Sequence, residues 1–256
     1  MANPEPSFIF QISLLSIAIF CTLELLIDIF YKFKVYTSLY FKSCVVCAIG
    51  VLLFAVGFLI LFNHLVDNLY VPLVILTFGW HMMVTGFAVV MYSRLHLVCS
   101  NSRIINASKY MIIFNYFVCH LPTTALTFGA NLIGTPFWVT NYARYEAFQV
   151  TMFFIQEVIL GLIYVYYIKR TFPQHKDLVF HTVYIQLAVI VLDMIMVGTE
   201  YGGFYDYQIT AKTFLYCIKL KLEFAVLNLL QDTVKIKSAN GTSSVGPTKN
   251  ANTSIF

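Results

Sequence analysis

Charge is what this sequence has least of. Only 11% of its 256 residues are Asp, Glu, Lys or Arg, where a water-soluble domain carries about 25%. With 59% of the chain hydrophobic, that deficit excludes a soluble globular protein and an extended disordered one. Proline is scarce as well, seven residues in all, and none lies in the hydrophobic runs 8–30, 43–62, 142–168, 178–197 or 210–230. The six cysteines all lie in or beside hydrophobic runs, so no structural disulfide is expected. Cys44 and Cys47 form a CxxC without a second pair, which reads as two small packing residues rather than a metal knuckle. Cys44 and Cys99, near a membrane boundary, are weak candidates for S-palmitoylation. There is no hydrolase triad, phosphate loop or zinc motif. An enzyme is therefore not expected, and neither a metal nor a cofactor is implied.

What is present is a series of oily segments. The stretch 71–98 carries no charge until Arg94. At 1.5 Å rise per residue, its uncharged part reaches roughly 34 Å, enough to cross a bilayer core. Its polar side chains, His81, Thr85, Tyr92 and His96, recur at helical spacing on one face. Comparable runs at 8–30, 43–62, 109–133, 142–168, 178–197 and 210–230 make seven segments, joined by short loops. The expected fold is an all-α membrane protein, a seven-transmembrane-helix bundle spanning residues 1–230. Residues 231–256, rich in Ser, Asn, Thr and Gly, read as a disordered cytosolic tail. The apolar run after MANPEP is too long for a cleavable signal, so it is expected to stay as the first helix.

Basic residues set the expected orientation. Lys32, Lys34 and Lys42 follow the first segment; Arg94, Arg103 and Lys109 the third; Lys169, Arg170 and Lys176 the fifth; Lys235, Lys237 and Lys249 the seventh. The alternate loops hold Glu5, Asp67, Glu200 and Asp206, and no Lys or Arg. The amino end is therefore expected outside and the carboxyl end in the cytosol, in the plasma membrane rather than an endomembrane. Phe137, Trp138, Tyr142, Tyr145, Tyr201, Phe204, Tyr205 and Tyr207 would form the outer aromatic belt. The sequons at Asn106, Asn240 and Asn252 fall on the cytosolic side and are expected to carry no glycan. Segment 210–230 reads as the seventh span although Lys212, Lys219, Lys221 and Glu223 lie within it. The alternative, a helix lying in the interface, would leave six spans and put the basic tail outside, against the pattern of the other loops. A charge at the centre of a span costs about 2.5–3.5 kcal/mol on insertion scales. Lys212 could snorkel outward, while the other three need partners.

Single polar stripes recur on six of the segments, and segment 2 instead shows small residues, Cys47, Gly50 and Gly57, suited to close helix contact. Pro122 should kink segment 4. Rough depth brings Asp193 toward Lys219 and Glu24 toward Lys221, with Lys219 and Glu223 also spaced to pair within one helix. Glu157 has no obvious partner and is the candidate proton or ligand group. The candidate polar cavity is lined by His81, Thr85, His120, Glu157, Gln186, Asp193, Lys219 and Glu223. Arg94 and His96 are candidates for cytosolic coupling, Arg94 also reading as a positive-inside anchor.

The run VVMYSRLHLV, followed by NYFVCHLPTTALTFGAN, resembles fungal seven-helix integral membrane proteins of unassigned function. Those carry a similar Tyr-Ser-Arg-Leu-His-Leu-Val run, here Tyr92 to Val98, and a similar His-x-Pro-Thr-Thr helix, here His120 to Thr124. The likeness covers about residues 71–170 and implies a multi-pass bundle and a fungal source, but no reaction. Other seven-helix classes fit less well. The Asp-Arg-Tyr triplet of G-protein-coupled receptors reads Tyr92-Ser93-Arg94, and their Asn-Pro-x-x-Tyr is missing. A rhodopsin would need a counter-ion that segment 3 lacks. SWEET and PQ-loop carriers place prolines within helices, whereas Pro173 lies in a loop. A haem b protein would need histidines paired across helices, from His81, His96, His120 and His181. The expected function is receptor-like sensing of a small molecule in an outward polar cavity. A small-solute or proton-coupled transporter or channel is the alternative, and a haem redox protein a distant one. The partners implied are the lipid bilayer, a small-molecule ligand and a cytosolic protein at the basic loops, with no nucleic acid.

Overall fold

The structure is a computed structural model that describes residues 6–33, 35–63, 65–203 and 205–242, with side chains to Leu230. Lys34, Glu5, Phe204, the side chains of Tyr205 and Asp206, and the tail lysines and sequons beyond residue 230 lie outside the described residues or side chains. The described residues are helical apart from short joints between the rods, with no strand among them. Seven rods follow one another: α1 (Pro6–Lys32), α2 (Leu39–Phe62), α3 (Tyr70–Val98), α4 (Ser102–Ile133), α5 (Pro136–Thr171), α6 (Lys176–Tyr201) and α7 (Tyr205–Thr242). The first six are long and apolar enough to cross a membrane. Helix α7 is long enough, but its four interior charges keep it out of that set.

The rods begin where the local chemistry lets them. Ser38 caps α2 by accepting the Phe41 N–H at 3.2 Å. Asn101 caps α4 by accepting the Arg103 N–H at 3.1 Å, which starts that helix well before the expected residue 109. Pro136 occupies the first turn of α5, where a missing N–H does no harm, and that helix also starts early. Gly134 ends α4 in a left-handed conformation, φ 67°, which glycine reaches without strain. Helix α7 continues to Thr242, past the boundary expected at residue 231.

Helix α4 is not regular. It winds through π turns at Tyr116–His120 and Gly129–Ile133. The expected irregularity at Pro122 therefore takes the form of a π turn just before it. Pro122 has no N–H to offer the carbonyl of Val118 four residues back. That carbonyl instead accepts the Tyr145 hydroxyl of α5 at 2.5 Å.

Helices α2 and α3 touch through their backbones. A Cβ on Gly50 would strike Met83, one on Gly57 would strike Leu76, one on Gly79 would strike Phe54, and one on Gly86 would strike Cys47. This is the close contact expected of α2, with matching glycines on α3 spaced seven residues apart. Cys44 and Cys47 are fully buried, and the Cys47 thiol donates to the Met83 carbonyl. All six cysteines are free. Cys99 is buried against the bundle, so neither palmitoylation candidate faces lipid.

Helix α3 is the most enclosed of the six apolar rods. Within its apolar stretch 56% is buried inside the protein, against 28% for α1, α4 and α6. It packs on α2, α4, α5 and α7, while α7 packs on α1, α2, α3 and α6. These two helices close the centre of the bundle. Of the residues expected in an aromatic belt, Phe137 and Tyr201 lie exposed, while Trp138, Tyr142 and Tyr145 are half-buried.

Candidate functional site

The polar interior is a column of charge built where α5, α6 and α7 meet. Helix α7 supplies Lys212, Tyr216, Lys219 and Glu223, which share one face because they are spaced by three or four residues. Helix α6 supplies Gln186, Asp193 and Glu200 at seven-residue spacing, and α5 supplies Glu146, Glu157 and Tyr164. All are buried. Antiparallel packing of the three helices turns these stripes into layers.

In the first layer Lys212 donates to Glu146 and lies 3.5 Å from Glu200. Gln208 also donates to Glu146, at 3.4 Å. In the second, Lys219 pairs with Asp193 and, at 2.9 Å, with Glu157. Tyr216 donates to the other Glu157 oxygen at 3.4 Å. The Lys219 ammonium also lies 4.4 Å from the centre of the Tyr216 ring. In the third, Arg94 of α3 pairs with Glu223, donates to Gln186 at 3.1 Å and stacks on Tyr164 at 3.9 Å. Lys212 and Lys219 lie two turns apart, so the first two layers are separated by about 10 Å. Each of those layers holds two carboxylates and one lysine, a formal charge of −1 inside the protein. The third is balanced.

Several expectations change at this point. Glu157 has partners, Lys219 and Tyr216, supplied by a different helix. Lys219 pairs with Glu157 and Asp193, and Glu223 goes to Arg94, so the expected pairing within α7 does not form. Lys212 does not snorkel, because two carboxylates hold it in the interior. Arg94 is 1% exposed. It is thus neither an anchor at the membrane surface nor a side chain open to a cytosolic protein, whereas His96 at the same end is exposed. The Asp193–Lys219 pair and the Glu24–Lys221 pair form as expected. Lys221 lies on the outer surface with Glu24, pointing away from the column. The role of Arg94 as a core cation was not legible, since its partner is 129 positions further along the sequence.

His81, Thr85 and His120 form a separate cluster between α3 and α4. Thr124 donates to the His120 carbonyl at 2.8 Å, so it accepts from His81 Nε2 at 2.9 Å. His81 Nδ1 is then the acceptor for Tyr116, at 3.4 Å. His120 Nε2 bonds to Thr85 at 3.1 Å, and its Nδ1 has no hydrogen-bond partner among the described residues. The two imidazole rings lie 4.5 Å apart and tilted, with no room for a macrocycle between them. His81 and Thr85 also line a lateral cavity of 460 Å³. The eight candidate cavity residues thus fall into two sets. Glu157, Gln186, Asp193, Lys219 and Glu223 sit in the closed column, while His81 and Thr85 line the lateral cavity and His120 is buried behind them. A second cavity, of 520 Å³ near Lys169 and Lys176, touches none of them.

Over residues 7–244 the sequence matches a family described as a domain of unknown function, DUF7703. No curated protein and no solved structure matches it.

Proposed function

Because the chain belongs to the DUF7703 family, whose description names no activity, we propose a function from the interior itself: a proton-coupled carrier of a small solute. In this reading all seven helices span the membrane, with the amino end outside and the lysine-rich loops in the cytosol. One observation supports it above the rest. Lys212 and Lys219, stacked on one face of α7, each sit between two buried carboxylates. A buried charge without a counter-charge is expensive to hold in a membrane protein. Taking up one proton makes either layer neutral, and releasing it restores the charge. The carboxylates come from α5 and α6 and the lysines from α7, so each change of charge alters what ties these helices together. A ligand or proton gradient that favours one arrangement then shifts the population of the other.

The test uses proteoliposomes with a lumenal pH dye, an acid exterior and a panel of small solutes. Wild-type protein should acidify the lumen faster with one or more solutes present. Its infrared spectrum should show a buried protonated carboxyl band that grows as pH falls. Glu157→Gln and Asp193→Asn should lose both signals. Variants that leave lumenal acidification and the carboxyl band unchanged would overturn the reading.

The receptor-like reading draws on a different observation, the Arg94–Glu223 pair that ties α3 to α7 near the lysine-rich end. A ligand that parted these helices would free a guanidinium at that end. Co-purification of a G-protein α subunit, lost in Arg94→Ala, would favour it over the carrier.

A further inference from the structure

The lateral cavity opens on the outer surface of the bundle. Helices α2 and α4 flank α3 without packing on each other, which leaves a strip of α3 uncovered between them. Phe78, Met82 and Val89 of that strip form the floor with His81 and Thr85, α2 supplies a wall from Leu39 to Val46, and Tyr116 of α4 faces it. Phe78 is 60% exposed at one end of the groove, and Leu39 and Val46 are exposed toward the other. The volume, 460 Å³, falls within the about 300–1,000 Å³ typical of small-molecule sites. In a membrane this groove is reached through the lipid rather than through water.

Its chemistry is uneven along its length. The glycine contacts between α2 and α3 set their register, with Gly50 against Met83 and Cys47 against Gly86. By that register Lys42 lies level with residue 91, at the lysine-rich end of the groove. Thr85 is then about 9 Å, and His81 about 15 Å, further into the membrane. Lys42 is exposed, and no described carboxylate lies within salt-bridge distance of it. Beyond it come apolar side chains, and then the hydroxyls of Thr85 and Tyr116 beside His81. These polar groups already bond to one another and to His120 and Thr124, so they present a largely apolar surface to whatever lies in the trough. A cation at the mouth and an apolar trough behind it complement an amphiphile with one negative head.

We propose that this groove binds an anionic phospholipid of the cytosolic leaflet, with its phosphate at Lys42 and one acyl chain along α3. Anionic lipids concentrate at that leaflet and add to the attraction of a basic residue near the surface. The site is separate from the α5–α6–α7 column, and its test does not involve proton movement.

Delipidated full-length protein would be titrated with nanodisc-derived phosphatidylserine or phosphatidylcholine, and bound lipid counted by native mass spectrometry. Wild-type protein should retain one phosphatidylserine at least five-fold more tightly than phosphatidylcholine. Lys42→Ala should remove that preference. Val89→Trp, which fills the groove and leaves Lys42 in place, should remove the retained lipid altogether. Met82→Trp serves as a second blocking variant should Val89→Trp fail to fold. Equal retention of both lipids by wild type would overturn the site. So would retention unaffected by the blocking variant, which would mean that Lys42 merely attracts surface lipid.

Discussion

Arg94 and Glu223 show how much one pair can matter in this interior. Both are fully enclosed, so removing one side chain strands the other charge in a place without water. Breaking such a pair typically costs about 3–5 kcal/mol, while replacing both partners by apolar groups is often neutral. Glu223→Gln and Arg94→Leu should therefore each lower the unfolding midpoint in detergent sharply. The double variant Arg94→Leu with Glu223→Leu should recover most of it. A double variant less stable than both singles would show that Gln186 and Tyr164 need the guanidinium for packing as well as for charge. Gly161 matters for the same layer, because a Cβ there would strike the Gln186 amide that Arg94 holds.

At the scale of the element, helix α4 depends on a hydroxyl from its neighbour. The Val118 carbonyl, left free by Pro122, is satisfied by Tyr145. Leaving a buried acceptor unpaired costs about 1–3 kcal/mol. Tyr145→Phe should lower stability by that order. Adding Pro122→Ala should restore part of the loss, because an alanine at that position supplies the missing N–H. Chemical denaturation of the single and double variants in detergent would read this. If Tyr145→Phe is neutral, the hydroxyl is not what holds the π turn. The α2–α3 contact is partly readable in the sequence, since Gly50 and Gly57 stand out in a helix with little polarity. The glycines of α3, Gly79 and Gly86, which meet Phe54 and Cys47 of α2, are masked by the polar stripe of α3, where His81 and Thr85 dominate the pattern. Helices α4 and α5 start earlier than hydropathy implies, at Ser102 and Pro136, because their polar first turns do not look like membrane spans.

At the scale of the whole molecule, the arrangement turns on α7. Its side chains to Leu230 are largely buried in the bundle, and in the proposed carrier it is the seventh span. Epitope tags at the two ends should then be digested from opposite faces of sealed vesicles, the amino tag from outside. A glycan acceptor engineered into the tail near Asn240 should stay unmodified. Both ends on one face would instead lay α7 along the surface and leave Lys219 to find its carboxylates some other way.

Low charge together with apolar runs of helix-spanning length determined that this chain is a membrane protein built of helices, because in lipid a run of that length satisfies its own backbone only as a helix. Spacing determined which face of each helix is polar, since 3.6 residues per turn makes the stripe a local property. Rough depth along each helix was enough to bring Asp193 toward Lys219 and Glu24 toward Lys221, but not to find every partner. Whether Glu157 stood alone or beside Lys219, and whether Arg94 faced the cytosol or Glu223, was decided only by packing. Those partners lie more than sixty positions apart and come into reach through the angle and depth of whole helices. The same packing left His81 and Thr85 facing a lateral groove, because α2 and α4 do not close over α3.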